Sequence, residues 1–346
     1  MKSLLLPSIL SILLVSSCGV PQIDRKKSDH FDGSKFFNPD FPKMGKSFST
    51  LLKWKFTEKA TKWPKEVAIK QQKVQERNNS PGDLSVTYVN HATVLVQLDG
   101  INILTDPIWS KRTSPVSFIG PKRVRLPGIK FDDVPKIDII LISHNHYDHM
   151  DLPTLKMFLK RDRPIVLAGL GSSYYFDKED KSSVHELDWD ESYPFKGLKF
   201  TFLPAKHWSK RSLFDENKCL WGAFAIEGTK KVYFAGDTGY ADHFKKAAQK
   251  FNEFYLSLIP IGAYEPRWFM KDAHMNPEEA VMAHLDLKSK YSLGIHHSTF
   301  QLTNEGVTKP IIDLKKAKQK YEVGDGFFTL ENGETRKFKN TANFKR

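Results

Sequence analysis

Residues 144–149 read His-Asn-His-Tyr-Asp-His and follow directly on the apolar run that ends at Ile142. Imidazoles and a carboxylate packed this closely at the end of a buried β-strand demand a rigid scaffold, because each side chain must be aimed. Metal coordination is the chemistry that uses such a set. Imidazole and carboxylate suit zinc, iron or manganese, and a catalytic site needs about three protein ligands per ion with a position left for water. His144 and His146 alternate along the chain and can converge on one ion. The step to Asp148 and His149 turns the next pair toward a second. A solvated histidine tract would need no partners elsewhere in the chain.

Partners are present downstream. His207 follows the alternating run 199–203, Asp237 follows 231–235 in Gly-Asp-Thr-Gly, and His296 follows 291–295 in Gly-Ile-His-His. Each stands where a strand gives way to a loop, the usual place for ligands held by a rigid frame. Singly, each is as well explained as a structural residue. Together with 144–149 they make four strand ends that supply His and Asp.

The coarse pattern is α/β. Strands are expected at 86–89 and 93–98, with Asp99-Gly100 as a hairpin turn into 101–104. Further strands are expected over 135–143, 165–168, 200–203, 221–226, 231–235 and 255–259, and a helix over 152–159. Asn276 as N-cap, Pro277 at the first helical position and Glu278 and Glu279 in the first turn predict a helix to about Leu285. Residues 48–63 predict one short helix, covering the domain or lying on a membrane, ended by Trp63-Pro64. Residues 78–82 are the expected boundary loop.

The order His-x-His-x-Asp-His, then His, Asp and His, resembles the metallo-β-lactamase superfamily. Longer stretches resemble, within it, the family of N-acyl-phosphatidylethanolamine-hydrolysing phospholipase D. They are Asn90–Val94, Leu104–Ile108, Gly120–Arg123, Ser143–His149, His207–Arg211, Trp221-Gly222, Phe234–Tyr240, Ile259–Lys271 and Asn276–Val281. The family usually has Gly where this chain has Asn90, and His-Trp-Gly-Thr where it has His296-His297-Ser298-Thr299. Alignment makes His296 the ligand and His297 the replacement for Trp. The resemblance implies a four-layer αββα sandwich with an N-terminal extension and a site for two divalent ions, zinc first, with iron or manganese as alternatives.

On that footing His144, His146 and His207 are assigned to one ion and Asp148, His149 and His296 to the other, with Asp237 shared. Asp148 and His274 are the expected catalytic residues, His274 polarising the phosphate or protonating a leaving group. Tyr147, Arg267, Trp268 and His274 are the expected substrate contacts, and Asp106 is expected to support the ligands. The implied reaction is phospholipase D-type hydrolysis of N-acyl-phosphatidylethanolamine or a related glycerophospholipid to phosphatidic acid and (N-acyl)ethanolamine. Hydrolysis of another ester, such as a lactone or soluble phosphodiester, and a non-catalytic surface-binding lipoprotein are the alternatives.

The ends of the chain carry a second message. Lys2, the apolar stretch Leu4–Val15 and Val15-Ser16-Ser17-Cys18 resemble a bacterial lipoprotein signal in which Cys18 is lipidated. That implies a lipid-anchored protein of the cell envelope, on its periplasmic or surface side. The expected divisions are 1–18 signal, 19–83 tether and extension, 84–335 hydrolase domain and 336–346 tail, with 21–27 as the tether. Without Cys18 the chain keeps only Cys219, so no intrachain disulfide forms, and Cys219 reads as a small buried residue rather than a nucleophile.

Composition fits one large domain: 346 residues, 40% hydrophobic and 12% aromatic. The net charge of +13 favours anionic partners such as phospholipid, but its basic residues are scattered and form no dedicated nucleic-acid module. The expected partners are phospholipid substrate and a membrane surface, with a second copy of the chain as a further candidate.

Overall fold

The computed structural model describes residues 20–40, 48–74 and 82–338. The signal segment and Cys18 lie outside the described residues. Those described form two seven-stranded sheets packed face to face. The first contains β1 (Leu84–Asn90), β2 (Thr93–Leu98), β3 (Ile101–Thr105), β4 (Ile139–Ile142), β5 (Ile165–Gly169) and β6 (Val184–Leu187) in that order, with β14 (Thr335–Phe338) on the outer edge of β1. The second runs in order from β7 (Ser192–Phe195) through β8 (Leu198–Leu203), β9 (Ala223–Glu227), β10 (Val232–Phe234), β11 (Leu256–Pro260) and β12 (Tyr291–Ile295) to β13 (Phe327–Phe328).

Strand side chains alternate between two faces, and here both faces are buried, which is why β4 and β5 read as unbroken apolar runs. Ile139, Leu141 and Leu167 point between the sheets into the central core. Ile140, Ile142, Val166 and Ala168 point outward against Leu155, Phe158 and Leu159 of helix α2 (Leu152–Asp162). On the far side, α3 (His243–Phe251), α5 (Pro277–Asp286) and α6 (Lys309–Lys320) cover the second sheet through Phe244, Val281 and Leu314. The layers are therefore helix, sheet, sheet, helix.

The β2–β3 connection is the expected two-residue turn, with Asp99 and Gly100 at φ 51° and 80°. Beyond it, β3 through β6 run parallel, as do β10 through β13. Parallel strands gather their carboxyl ends, and the loops after them, at one edge of the sandwich.

Several expected boundaries shift. β4 begins at Ile139 rather than at 135, because the preceding segment runs through a 3-10 turn at Phe131–Asp133. The helix in the extension, α1 (Phe48–Thr57), ends before Trp63-Pro64. There Thr61 N–H donates to Asn304 O and the Trp63 indole to Glu305 O, contacts with the domain that replace helical ones. The expected tail begins too early: residues 336–338 pair with β1 and close its exposed edge. The expected tether at 21–27 lies on the domain, where Ile23 packs on the core and Arg25 pairs with Asp188 and Glu191. Phe31 and Phe36 follow it into the core.

Candidate metal centre

The turn after β4 is set by Asp106, at the end of β3, whose carboxylate accepts from Ser143 N–H at 2.8 Å and Ser143 Oγ at 2.6 Å. His149 and Met150 N–H then donate to His146 O and curl 144–149 into a compact hook. His149 Nδ1 lies 2.6 Å from Asp106 Oδ2, so its Nε2 faces the site; His207 Nδ1 lies 3.0 Å from Ala273 O, with the same effect.

Gly236 brings the two sheets' strand ends together. It adopts φ 60°, and a Cβ there would stand 2.5 Å from the Ser143 Cβ. Glycine thus lets Asp237 of the second sheet approach the hook of the first. A Cβ on Gly262 would meet His296 O at 2.1 Å, so the β11 end closes on the β12 end in the same way.

The result is two donor groups meeting at one carboxylate. His144 Nε2, His146 Nδ1 and His207 Nε2 form the first, with His146 Nδ1 2.7 Å and 3.4 Å from the other two. Asp148, His149 and His296 form the second, joined by His91, whose Nε2 also reaches Asp148 Oδ2; that oxygen is 3.4 Å from His149 Nε2 and 3.3 Å from His296 Nε2. Asp237 Oδ2 stands between them, at 3.1 Å from His149, 3.3 Å from His296, 3.9 Å from His144 and 4.0 Å from His207. The seven residues singled out as ligands are brought together, and His274 joins them with Nδ1 3.9 Å from Asp237 Oδ2.

The register at the β12 end is plain. His296 faces the donors, whereas the buried His297 ring turns away to stack on Tyr88 at 5.5 Å. The left-handed backbone at His296 (φ 60°) and His91 (φ 48°) costs roughly 1–3 kcal/mol each, strain typical of sites that must aim a side chain.

Electrostatics suit a cation. Burial opposes charge on Asp237 and Asp148, yet neighbouring imidazoles hold both carboxyls well below the usual range. Burial likewise opposes a proton on His149 and His296. Asp237 and Asp148 prevail, keeping His149 well above its ordinary value and pushing His296 up to about 9. Burial lowers His144 and His207 well below their ordinary value, and His146 and His274 to about 4, which leaves these rings neutral and able to donate lone pairs. Asp237 Oδ1 and His146 Nε2 are buried with no hydrogen-bond partner among the described residues. Converging nitrogen and oxygen donors left unpaired in this way fit divalent metal.

A cavity of about 190 Å³ opens on the donors. It is lined by His146, Asp148, Asp237 and His274 together with Trp54, Phe269, Met270 and Leu302. Trp54 comes from α1, its ring 4.7 Å from Phe269 and its indole bonded to Asn304. The expected substrate contacts divide accordingly. His274 lines this cavity and Tyr147, Arg267 and Trp268 do not. Tyr147 donates to Arg211 O and stacks under the Arg211 guanidinium. Arg267, in α4 (Arg267–Met270), binds Glu279 and the His274 carbonyl, and Trp268 donates to Glu58. Its neighbours Phe269 and Met270 face the cavity instead. Sequence reasoning missed Trp54, for which no local signal exists, and His91, a histidine in the turn of a fully buried hairpin. Cys219 is fully buried, its thiol pushed up by burial, as expected of an inert residue.

Residues 101–297 match the family described as Beta-lactamase superfamily domain. The chain is 40% identical over 271 residues to N-acyl-phosphatidylethanolamine-hydrolyzing phospholipase D 1 of Caenorhabditis elegans, covering 74% of this chain and 76% of that protein. It is 34% identical to the mitochondrial N-acyl-phosphatidylethanolamine-hydrolyzing phospholipase D of Saccharomyces cerevisiae, over 77% of this chain but 58% of that protein, less than two thirds of its length. A metallo hydrolase of Ignicoccus hospitalis shares the fold, with a TM-score of 0.55 and 24% identity over 75% of this chain and 100% of that one. On these matches the α/β sandwich is a metallo-β-lactamase fold, and the chain belongs to the metallo-β-lactamase superfamily and to its N-acyl-phosphatidylethanolamine-hydrolysing phospholipase D-like family.

Proposed function

We propose that this chain is a phosphodiesterase of the phospholipase D type that hydrolyses N-acyl-phosphatidylethanolamine or a related glycerophospholipid. It is a metal-dependent hydrolase by family; the substrate is the inference. One observation carries it: a single cavity lined both by His and Asp donors and by Trp54, Phe269, Met270 and Leu302. An amphiphilic phosphodiester uses both kinds of lining, its phosphate at the donors and its acyl chains at the apolar side chains. The names of the worm and yeast relatives support the same class.

The donor arrangement supports two ions, zinc first, one in the group of His144, His146 and His207 and one in that of Asp148, His149 and His296, with Asp237 common to both. Divalent ions bound there supply Lewis acidity and a water acidified to near neutrality. Asp106 and the Ala273 carbonyl fix the imidazoles that hold them. His274, half-buried and beside Asp237, is placed to hydrogen-bond a phosphate oxygen or hand a proton to the departing alcohol. Trp54 and its neighbours keep bulk water from one side. The bond broken lies between phosphorus and the ethanolamine oxygen; water supplies the new oxygen of phosphatidic acid and the proton of the alcohol. By the same reading the protein is held to the bacterial envelope through Cys18.

The test is a phospholipid panel in heavy-oxygen water, read by mass spectrometry on protein of known metal content. Label is expected on the phosphate of phosphatidic acid and absent from the alcohol. Label in a released fatty acid would replace this reading with carboxyl-ester cleavage.

A further inference from the structure

His91 occupies the turn between β1 and β2, at the same edge of the sandwich as the donors, and four features set it apart from an ordinary buried histidine. Its backbone is left-handed, at φ 48°. That backbone is clamped to the segment that carries His296: His91 N–H donates to Thr299 Oγ1 at 3.1 Å, and His91 O accepts from His296 N–H at 2.8 Å. The residue is 1% exposed, and its ring sits 4.0 Å from the His296 ring and 5.3 Å, edge to face, from that of Phe300. Finally, Nε2 lies 3.0 Å from Asp148 Oδ2, the oxygen that faces His149 and His296.

The position of the ring proton follows from its surroundings. His91 Nδ1 is buried and has no partner among the described residues. A neutral imidazole carries one N–H, and an unpaired buried N–H is costly, so the proton belongs on Nε2, where the carboxylate accepts it. Such a bond to an ionised acceptor is strong and directional. It removes the freedom of the Asp148 carboxylate to swing away from the second donor group, and it ties that carboxylate to the same turn that positions His296.

We propose that His91 is a positioning residue of the second donor group, holding the Asp148 carboxylate in its ligating orientation through an Nε2–H bond. The proposal rests on the reading of Asp148, His149 and His296 as a metal-binding group. Partners of this kind, outside the ligand set, change metal affinity by about 10–100-fold when removed.

Stepwise titration of metal-stripped protein with Zn²⁺ against a chromophoric chelator tests it. Wild type should show two binding steps, and His296→Ala identifies the step that belongs to the second group. His91→Ala should weaken that step by about 10–100-fold and leave the other unchanged. His91→Gln should recover most of the loss, since its amide offers an N–H at similar reach and both substitutions keep the same left-handed backbone. Circular dichroism and thermal melting of the metal-free variants separate misfolding from lost affinity. If His91→Ala binds both ions as wild type does, the positioning role is overturned while the metal reading stands. If His91→Gln is as weak as His91→Ala although folded, His91 is a ligand rather than a positioning residue, and the proposal fails. If wild type itself shows no step that His296→Ala removes, the underlying reading has failed instead.

Discussion

Asp237 is the residue on which the two donor groups depend together, because one oxygen faces four of their imidazoles. Asp237→Ala should therefore lower total metal content more than any single histidine change, and by more than the roughly 10–100-fold affinity loss expected of an outer partner. Elemental analysis of folded variants checks this; equal loss from His207→Ala would show that Asp237 serves one group alone. The His296-His297 pair gives a sharper contrast. His296→Ala should lose metal, whereas His297→Trp should keep it, since His297 meets Tyr88 and not the donors. Metal retained in the first and lost in the second would contradict the geometry. The donors were legible in the sequence because each ends a strand whose apolar pattern announces it. His91 was not, because its partner Asp148 is 57 residues away and the contact exists only once the sheet forms. Arg267 and Trp268 misled for a related reason. A cation beside aromatics looks like a headgroup site until Glu279 and the His274 carbonyl are seen to occupy the guanidinium.

Two elements lie against the domain by contacts that sequence periodicity does not report. The first is the segment around His30, which stacks on Trp189 and sits between Asp29 and Asp188. Burial works against a charged His30, but the two carboxylates raise it above its ordinary value of 6.5. Its stabilising contribution is therefore complete below that value and is lost as pH rises through the raised one. Asp188, lowered from 3.8, contributes above that value and loses its share as pH falls through the depressed one. The segment should be held most firmly between about 4 and 6.5, and protection factors for the Phe36 and Phe37 amides should fall as pH rises above 6.5. Unchanged protection would mean that Phe31 and Phe36 alone hold it. The second element is α1, where Trp54→Ala should raise KM for long-chain substrate roughly tenfold, about 1.4 kcal/mol of apolar contact, with kcat nearly unchanged. A fall in kcat alone would place Trp54 outside the acyl path. By contrast the start of α5 was readable: Asn276 is the N-cap and Pro277 the first helical residue, as expected, and Glu279 adds a reciprocal bond to the Asn276 N–H that the dipole argument did not include. Asn276→Ala should cost about 1 kcal/mol in denaturant unfolding.

At the scale of the molecule, one face collects the metal donors, the cavity and the outward side of α1, whose Leu51, Leu52 and Phe56 are exposed. Lys53 and Lys55 are interleaved with them, so this rim offers apolar groups and positive charge together, on a chain whose formal charge is +13. Both favour an anionic lipid surface, apolar groups by burial in the interface and lysines by attraction to headgroups. No helix among the described residues is long and apolar enough to cross a membrane. For the attachment proposed above there are two candidates, a covalent anchor at Cys18 and the α1 rim, and they respond differently to salt. A single acyl chain binds only marginally, so an anchor of two or three chains on one cysteine would hold in high salt, while a charged rim would release. Cys18→Ser protein expressed in a bacterial host should lose lipid modification by mass spectrometry and move from the membrane fraction to the soluble one after a salt wash. The same protein should retain hydrolysis of short-chain, soluble substrate, since the residues that line the cavity begin at Trp54. If Cys18→Ser protein stays with the membrane through the wash, the covalent anchor is not what holds it. Phe56→Ser in that background then decides whether α1 does.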